Sequence, residues 1–137
     1  MTIKEKLQFD KLKRIFNFKD IAVVGMSPKH DRPSNKVGQY LYDMGFNVVA
    51  VNPTTKNIGS IISYPSLLDI PHSIDIVNVF RKPSFVPLIT KDVIAIQAKV
   101  LWLQEGIVDN KSAALASSHG IETVMDYCML KEHKNML

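Results

Sequence analysis

The stretch IAVVGMSPKHDRPSNKVGQYLYDMG, residues 21–45, decides the fold. It opens on a short apolar run rich in valine and isoleucine, which is typical of a buried strand. A polar loop follows, and apolar side chains then recur at helical spacing in residues 34–44. Ser34 is the expected N-cap of this helix, and Gly45 is the expected residue after its last turn. A strand, a loop and a helix in this order form the repeating unit of α/β domains.

Further apolar runs predict the other strands of the same sheet. Most of them lack the alternation expected of a sheet with one wet face, which favours a parallel sheet covered on both sides. Ser84 and Asp109 are the expected N-caps of the helices between the later strands, and Gly120 is an expected helix end. The five predicted strands are 21–26, 46–51, 74–80, 98–103 and 121–125. The sequence therefore predicts a Rossmann-like, doubly wound α/β fold with about five mostly parallel strands and helices on both faces.

The whole chain, residues 1–137, is predicted to form a single domain. At 137 residues and 46% apolar side chains it can bury a core without disulfides or metals. An N-terminal helix over about 2–16 precedes a core over about 20–126, and a C-terminal helix over about 127–134 follows. The least regular part is the connection 53–73, for which only a one-turn helix near 66–68 is expected.

Composition excludes several function classes. The net charge is +4, but most of the excess lies in the first 20 residues, where a solvated helix face explains it. A nucleic-acid binder would show a denser basic stripe with aromatic residues between, so no nucleic-acid partner is expected. No apolar run reaches the length of a membrane span and no secretory leader is evident, which predicts a cytoplasmic protein without a membrane partner. The lone Cys128 excludes an internal disulfide and a cysteine-based zinc site, and no metal is expected.

The loops that follow the predicted strands are the place to look for a ligand. Doubly wound sheets bind ligands outside the carboxyl ends of their strands, near the point where the strand order reverses. Here these loops combine glycine and proline with lysine and arginine, which is unusual for purely structural turns. They are residues 25–34, 52–56, 80–84, 103–107 and 125–128. We therefore expect an anionic ligand at this rim of the sheet.

The first of these loops lacks the glycine pattern of a dinucleotide site. Gly25 permits a tight turn and a close approach of a ligand, but it is the only glycine in the loop. Ser27 lies where the second glycine of G-x-G-x-x-G would be needed. The second strand runs into Asn52 and Pro53, where an NAD site would have an acidic residue for the ribose. These differences argue against NAD.

The same loop does favour phosphate. It offers the Ser27 hydroxyl, free backbone N–H groups and the Arg32 side chain, beside the positive end of the helix that opens at Ser34. The alternative is that Pro28 and Pro33 merely stiffen a turn.

The third and fourth strands end in further candidate residues. Arg81 could contact a second phosphate while Phe80 offers an apolar face, or Arg81 could instead pair with Asp31 or Glu105 across the rim. Gln104 and Glu105 end the fourth strand. Gly106 would allow the backbone to approach a ligand closely, and Trp102 is expected in the core.

The chain resembles the small stand-alone CoA-binding proteins, whose domain is similar to the CoA-binding domain of succinyl-CoA synthetase α-subunits. The resemblance covers roughly residues 14–134. It is carried, in order, by IAVVGMS, DRPSNKVGQYL, VNP, SYPSLLDIP, DIVNVFRKP, WLQEGI, VMDYC and the EH of residues 132–133. One such motif would be weak evidence, whereas eight in the same order and spacing are specific.

The resemblance implies coenzyme A, or an acyl-CoA, as the ligand. The positions that it implies for the site are Gly25, Met26, Ser27, Pro28, Arg32, Pro33, Ser34, Asn52, Pro53, Phe80, Arg81, Pro83, Leu103, Gln104, Glu105 and Gly106. One departure is Tyr127, which stands where relatives usually have arginine, so a charge near the implied site is missing.

Non-catalytic binding of coenzyme A, as a carrier, sensor or regulatory subunit, is the main functional hypothesis. Cys128 and His133 could suggest a nucleophilic pair, but no orienting partner is evident and structural roles are expected for both. The first alternative is a small enzyme acting on a CoA thioester, or a nucleotide-dependent oxidoreductase. The second is a protein-interaction domain with a decayed site, for which Tyr127 is the support. The sequence does not identify a protein partner.

Overall fold

A computed structural model describes residues 1–54 and 56–137 of the chain. Within these residues a sheet of six strands is flanked by five α-helices. The strands are β1 (Asp20–Val24), β2 (Asn47–Val51), β3 (Ser63–Tyr64), β4 (Ile76–Val79), β5 (Val100–Leu103) and β6 (Glu122–Val124). The helices are α1 (Ile3–Ile15), α2 (Pro33–Asp43), α3 (Val86–Ala95), α4 (Asn110–Ser118) and α5 (Met129–Met136).

The sheet is parallel throughout and has the order β3-β2-β1-β4-β5-β6. The chain builds outward from β1 to β3, returns to β4 on the other side of β1, and then builds outward to β6. The strand order therefore reverses between β1 and β4, which is the position at which such sheets bind ligands. The predicted doubly wound Rossmann-like fold is confirmed.

One strand was not predicted. Ser63 and Tyr64 form β3 and pair in parallel with Ala50 and Val51 at the edge of the sheet. Two residues are too few to show an apolar pattern, and they lie in the irregular connection 53–73. The one-turn helix expected near 66–68 is present as a 3-10 turn over Leu67–Asp69.

The predicted start of α2 was wrong by two residues. Arg32 is the N-cap and Pro33 is the first helical residue. Proline fits that position because its missing N–H would have no helical partner there and its fixed φ is already helical. Ser34, expected as the N-cap, therefore lies inside the first turn, and its Oγ accepts a hydrogen bond from the Ser27 N–H at 2.9 Å.

The other expected helix ends are mixed. Ser84 was wrong as a cap, since it lies in a 3-10 turn over Pro83–Phe85 that leads into α3. Asp109 is confirmed, because its side chain accepts a hydrogen bond from the Ser112 N–H at 3.1 Å. Gly45 is also confirmed after α2, where its φ of +95° would strain any other residue.

Helices cover both faces of the sheet. One apolar cluster packs α1, α2 and α5 against one face, and a second packs α3 and α4 against the other. Trp102 is completely buried in the first cluster, as expected, and its Nε1 donates to the Tyr127 carbonyl at 2.8 Å. Full burial of large apolar side chains of this kind contributes about 1.5–3 kcal/mol each. Among the described residues, no helix has the length and apolar character needed to cross a bilayer.

Candidate functional site

The residues that follow β1 and β4 lie very close to each other at Gly25. This residue follows β1 with a φ of +85°, and its N–H donates to the Val51 carbonyl at 2.8 Å. A Cβ at Gly25 would overlap the carbonyl oxygen of Phe80 and would lie 3.0 Å from Cδ of Arg81. The tight turn expected here is present, and protein backbone fills the space into which a side chain would point. Glycine is thus required for the two strand ends to meet.

A buried side chain and hydrogen bonds to neighbouring side chains fix the loop after Gly25. Met26 is fully buried, beneath Gly38 of α2, where a Cβ would come within 2.6 Å of the Met26 Cε. The Ser27 carbonyl accepts from the Asn35 side chain at 2.8 Å, and the Ser27 Oγ accepts from the Lys29 N–H at 3.1 Å. The backbone N–H groups of Ser27 and Lys29 both have side-chain partners, so the expectation that this loop offers free N–H groups was wrong at these two positions.

Asn52 ties the second rim loop to the first. Its Nδ2 donates to the Met26 carbonyl at 3.0 Å, and its Oδ1 accepts from the N–H and the hydroxyl of Thr54, both at 3.0 Å. The side chain thus bridges backbone segments of the two loops. Both ends of the amide are engaged, so Asn52 shapes the rim by holding two loops together.

The main cleft lies where α2 begins, β4 and β5 end, and α5 begins. Its volume is about 640 Å³. The lining residues are Pro33, Lys36, Val37, Phe80, Arg81, Gln104, Glu105, Ile107, Cys128, Leu130 and Lys131. Three of these carry positive charge, and Lys131 pairs with Glu105 at 3.0 Å. The cleft therefore combines apolar walls with an excess of positive charge.

Arg81 is one of the positively charged residues that line the main cleft. Within the described part of the chain, it forms no ion pair with the expected carboxylates, Asp31 and Glu105. Its guanidinium instead stacks over the Phe85 ring, 4.1 Å from the centroid. It also lines a smaller cavity of about 170 Å³, together with Gly25 and Pro53. A stacked guanidinium keeps its hydrogen-bond donors in its plane, where they are available to an anion.

Gln104 connects the cleft to the last helix. The residue is only 5% exposed, and its Oε1 accepts from the Met129 N–H at 3.0 Å. This bond satisfies one of the N–H groups that a helix start leaves without a partner. The next loop is held in the same way, because the Gly106 N–H donates to Asp126 Oδ1 at 2.6 Å.

The structure brings together part of the predicted site. Five predicted residues line the main cleft, namely Pro33, Phe80, Arg81, Gln104 and Glu105. Gly25, Pro53 and Arg81 line the smaller cavity. Met26 and Leu103 are fully buried, so only their backbone could contribute. Lining neither of these two cavities in the described part are Ser27, Pro28, Arg32, Ser34, Asn52, Pro83 and Gly106.

Several cleft residues were missed in the sequence. Lys36 lies one turn inside α2, and Leu130 and Lys131 lie in the first turn of α5. The only available signal was that both helices begin at the rim. Tyr127, by contrast, lies outside the main cleft and lines a groove between α1 and α5.

His133 has a structural role in packing α5. Its Nδ1 lies 2.7 Å from the Tyr40 hydroxyl, and its ring makes edge contacts with Phe16, Tyr40 and Phe46 at centroid distances of 5.1–5.5 Å. Burial, and then the charge of Lys19, lower the pKa of His133. The described residues contain no group of three or more His, Cys, Asp and Glu side chains placed to hold a metal ion.

Comparison with known proteins identifies the family. A family model described as the CoA binding domain matches residues 19–134. The chain belongs to the CoA binding domain family. Uncharacterized protein YneT of Bacillus subtilis is 35% identical over 115 residues, covering 84% of this chain and 85% of that protein. A solved structure of a hypothetical protein from Pyrococcus horikoshii has a TM-score of 0.89 at 34% identity and covers 93% of this chain and 90% of that one.

A longer relative contains the domain as one part. The ADP-forming acetate–CoA ligase I of Archaeoglobus fulgidus is 25% identical over 128 residues. The match covers 86% of this chain but only 19% of the ligase. Family membership and fold are thus established for this chain, while the reaction of the ligase belongs to a much larger protein.

Proposed function

We propose that this protein binds coenzyme A or an acyl-CoA at the rim of its sheet without transforming it. The observation that carries the proposal is the cleft at the carboxyl ends of β4 and β5, where Arg81 has no carboxylate partner among the described residues, in a chain of the CoA binding domain family. Arg81 offers donors in a fixed plane that suits a phosphate.

The chemistry of the cleft matches the parts of coenzyme A. Arg81 and Lys36 supply positive charge for phosphates, at the opening of α2 where the helix dipole adds to it. Phe80, Ile107 and Leu130 supply apolar surface for the adenine or the pantetheine arm. A pocket with apolar walls and a few placed polar groups is typical of cofactor sites.

NAD fits less well. The position of the second glycine is Ser27, whose N–H and carbonyl are already bonded to the Ser34 and Asn35 side chains of α2. Asn52 replaces the acid that would bind the ribose, and its amide is occupied at both ends. The loop therefore has neither the open backbone nor the carboxylate on which a dinucleotide site depends.

A binding role also fits the state of the reactive side chains. Glu105 is paired with Lys131, and His133 is packed among aromatic rings. Both side chains thus have structural partners, whereas acid–base catalysis would require them to hold a proton at a reacting group. We infer a role as a CoA carrier, sensor or regulatory subunit.

Titration calorimetry with CoA and NAD tests the proposal. We expect saturable binding of CoA and far weaker binding of NAD. The Lys111→Ala variant is a matched control, because Lys111 is an exposed lysine on α4, which packs on the opposite face from α2 and α5. Its CoA affinity should equal that of the unmodified chain. Binding of NAD as tight as that of CoA would contradict the proposal.

A further inference from the structure

Cys128 places a thiol in the wall of the main cleft. It is the N-cap residue of α5, is partly exposed, and lines the same 640 Å³ space as Arg81 and Lys36. It is also the only cysteine of the chain and has no disulfide partner. Binding of coenzyme A as proposed above does not require a thiol at this position.

Gln104 independently points to a ligand in this part of the cleft. The residue is only 5% exposed, and its Oε1 accepts from the Met129 N–H, one residue after Cys128. Its Nε2 makes no hydrogen bond to any other described residue. This atom is also not completely buried, so a molecule in the cleft can reach it. A buried amide donor that lines a cavity calls for an acceptor oxygen on a ligand, such as an amide carbonyl.

A lysine lies beside Cys128 at this end of the cleft. Lys131 follows Cys128 by three residues, in the first turn of α5, and lines the same space. Its ammonium group pairs with Glu105 at 3.0 Å. A ligand with phosphates on Arg81 and its remaining length in the same cleft would extend toward Gln104 and Cys128.

We propose that Cys128 undergoes thiol–disulfide exchange with a CoA disulfide bound in the cleft, so that the chain carries coenzyme A as a mixed disulfide. This rests on the proposed function, since the nucleotide part of the ligand must first bind at the rim. The pantetheine arm carries two amide carbonyls that can accept from Gln104, and it ends in the sulfur. The required co-reactant is a disulfide with at least one CoA half.

The exchange is balanced without any other oxidant. Cys128 loses its proton, and its thiolate Sγ attacks one sulfur of the CoA disulfide. A new S–S bond forms between Sγ and that CoA half, while the original S–S bond breaks. The second CoA leaves as a thiolate and takes up the proton. Cys128 is thereby oxidised to a disulfide and one CoA is reduced to its thiol.

Mass spectrometry of the intact, reduced protein after incubation with CoA disulfide is the test. Because the chain has a single cysteine, the mass of an adduct locates it at Cys128 without a variant. We expect one CoA per chain, released by a reducing agent, at a rate that saturates with CoA disulfide concentration. Hydroxyethyl disulfide, which lacks phosphate and pantetheine, should react at least about tenfold more slowly and without saturation.

Two further measurements separate a directed reaction from simple exposure of a thiol. An S-methyl CoA thioether, which cannot exchange, should slow the reaction with CoA disulfide and leave that with hydroxyethyl disulfide unchanged. Gln104→Glu keeps an acceptor for the Met129 N–H but removes the amide donor. Its new negative charge disfavours the Cys128 thiolate in both reactions, so it should slow the reaction with CoA disulfide by a larger factor than the reaction with hydroxyethyl disulfide.

Calorimetry with reduced CoA distinguishes failure of this inference from failure of the proposed function. If CoA binds but no adduct forms, or both disulfides react at equal rates, the exchange is overturned and CoA binding stands. If CoA does not bind, both are overturned. A saturable adduct that the thioether suppresses supports both.

Discussion

Arg81 is the single residue on which CoA affinity should depend most, because its charge has no carboxylate partner in the described residues. Removing a charge-assisted hydrogen bond costs about 1.5–3 kcal/mol. We therefore expect Arg81→Ala to weaken CoA binding roughly tenfold or more. Titration calorimetry measures the change, with Lys111→Ala as the control for loss of one positive charge. If a folded Arg81→Ala protein binds CoA with unchanged affinity, Arg81 does not contact the ligand and its role is limited to stacking on Phe85.

Gly25 should matter first for stability. Its φ of +85° is costly for alanine, and the added Cβ would overlap the Phe80 carbonyl. Gly120 is a matched control, since its φ is +75° but a Cβ there would meet no atom within 4 Å. We expect Gly25→Ala to lower the free energy of unfolding by more than Gly120→Ala, whose cost is backbone strain of about 1–3 kcal/mol. Urea denaturation of both variants measures the difference.

CoA affinity per folded molecule remains a separate question for Gly25→Ala. The sequence alone predicts that a methyl group at this loop hinders a ligand and reduces affinity, whereas in the structure the methyl group would point at the Phe80 carbonyl. Calorimetry corrected for the folded fraction checks this. If Gly25→Ala and Gly120→Ala lower the free energy of unfolding by the same amount, the overlap of the new Cβ with the Phe80 carbonyl is relieved without an energetic cost.

At the scale of elements, the attachment of α5 should depend on pH. Burial lowers the pKa of His133, so the folded state favours the neutral ring bonded to the Tyr40 hydroxyl. The unfolded chain then binds more protons than the folded one between the lowered pKa and the ordinary value of about 6.5. The contribution of His133 is therefore fully present above about pH 6.5 and is lost as the pH falls toward the lowered pKa.

Urea denaturation at pH 7.5 and pH 5.5 measures this effect. Burial raises the pKa of Glu132, which acts in the opposite sense, because a carboxyl that holds its proton in the fold loses stability as the pH rises. The pH dependence of the unmodified chain should therefore be compared with that of His133→Gln, which leaves Glu132 in place. We expect a smaller loss of stability on acidification in His133→Gln. His119→Gln, at an exposed helix end, should behave like the unmodified chain.

Elements with a repeated pattern could be predicted and those without one could not. The strands around 21–26 and 98–103 were recognised because several consecutive apolar residues are buried in each. Ser63 and Tyr64 were missed because two residues carry no period and are held by pairing with β2. Ser34 was misplaced because the preference of Pro33 for the first helical position outweighed the capping tendency of serine.

At the scale of the whole molecule, the parallel arrangement of the strands determined which site residues could be predicted to lie together. Parallel strands gather their carboxyl ends at one rim, so Phe80, Arg81 and Gln104 could be placed together from the sequence. The sequence did not indicate which of the predicted site residues would be buried or hydrogen-bonded within the protein and so be unable to contact a ligand. Met26 is buried beneath α2, and Asn52 bonds to backbone, because contacts made across the molecule engage them.

Ligand binding at this rim should stabilise the entire domain, since the cleft joins α2, β4, β5 and α5. A ligand that binds only the folded state adds about 2.7 kcal/mol at a concentration one hundred times its Kd. For a domain of this size that corresponds to an increase in Tm of roughly 10 °C. We expect such an increase with CoA and with acetyl-CoA, and a much smaller one with NAD, NADP, FAD or ATP at equal concentration. Thermal-shift measurements across this panel provide the check.

The Arg81→Ala protein at the same CoA concentration should show a smaller shift, because its weaker binding lowers the ratio of ligand concentration to Kd. A larger shift with NAD than with CoA would instead favour a nucleotide-dependent oxidoreductase.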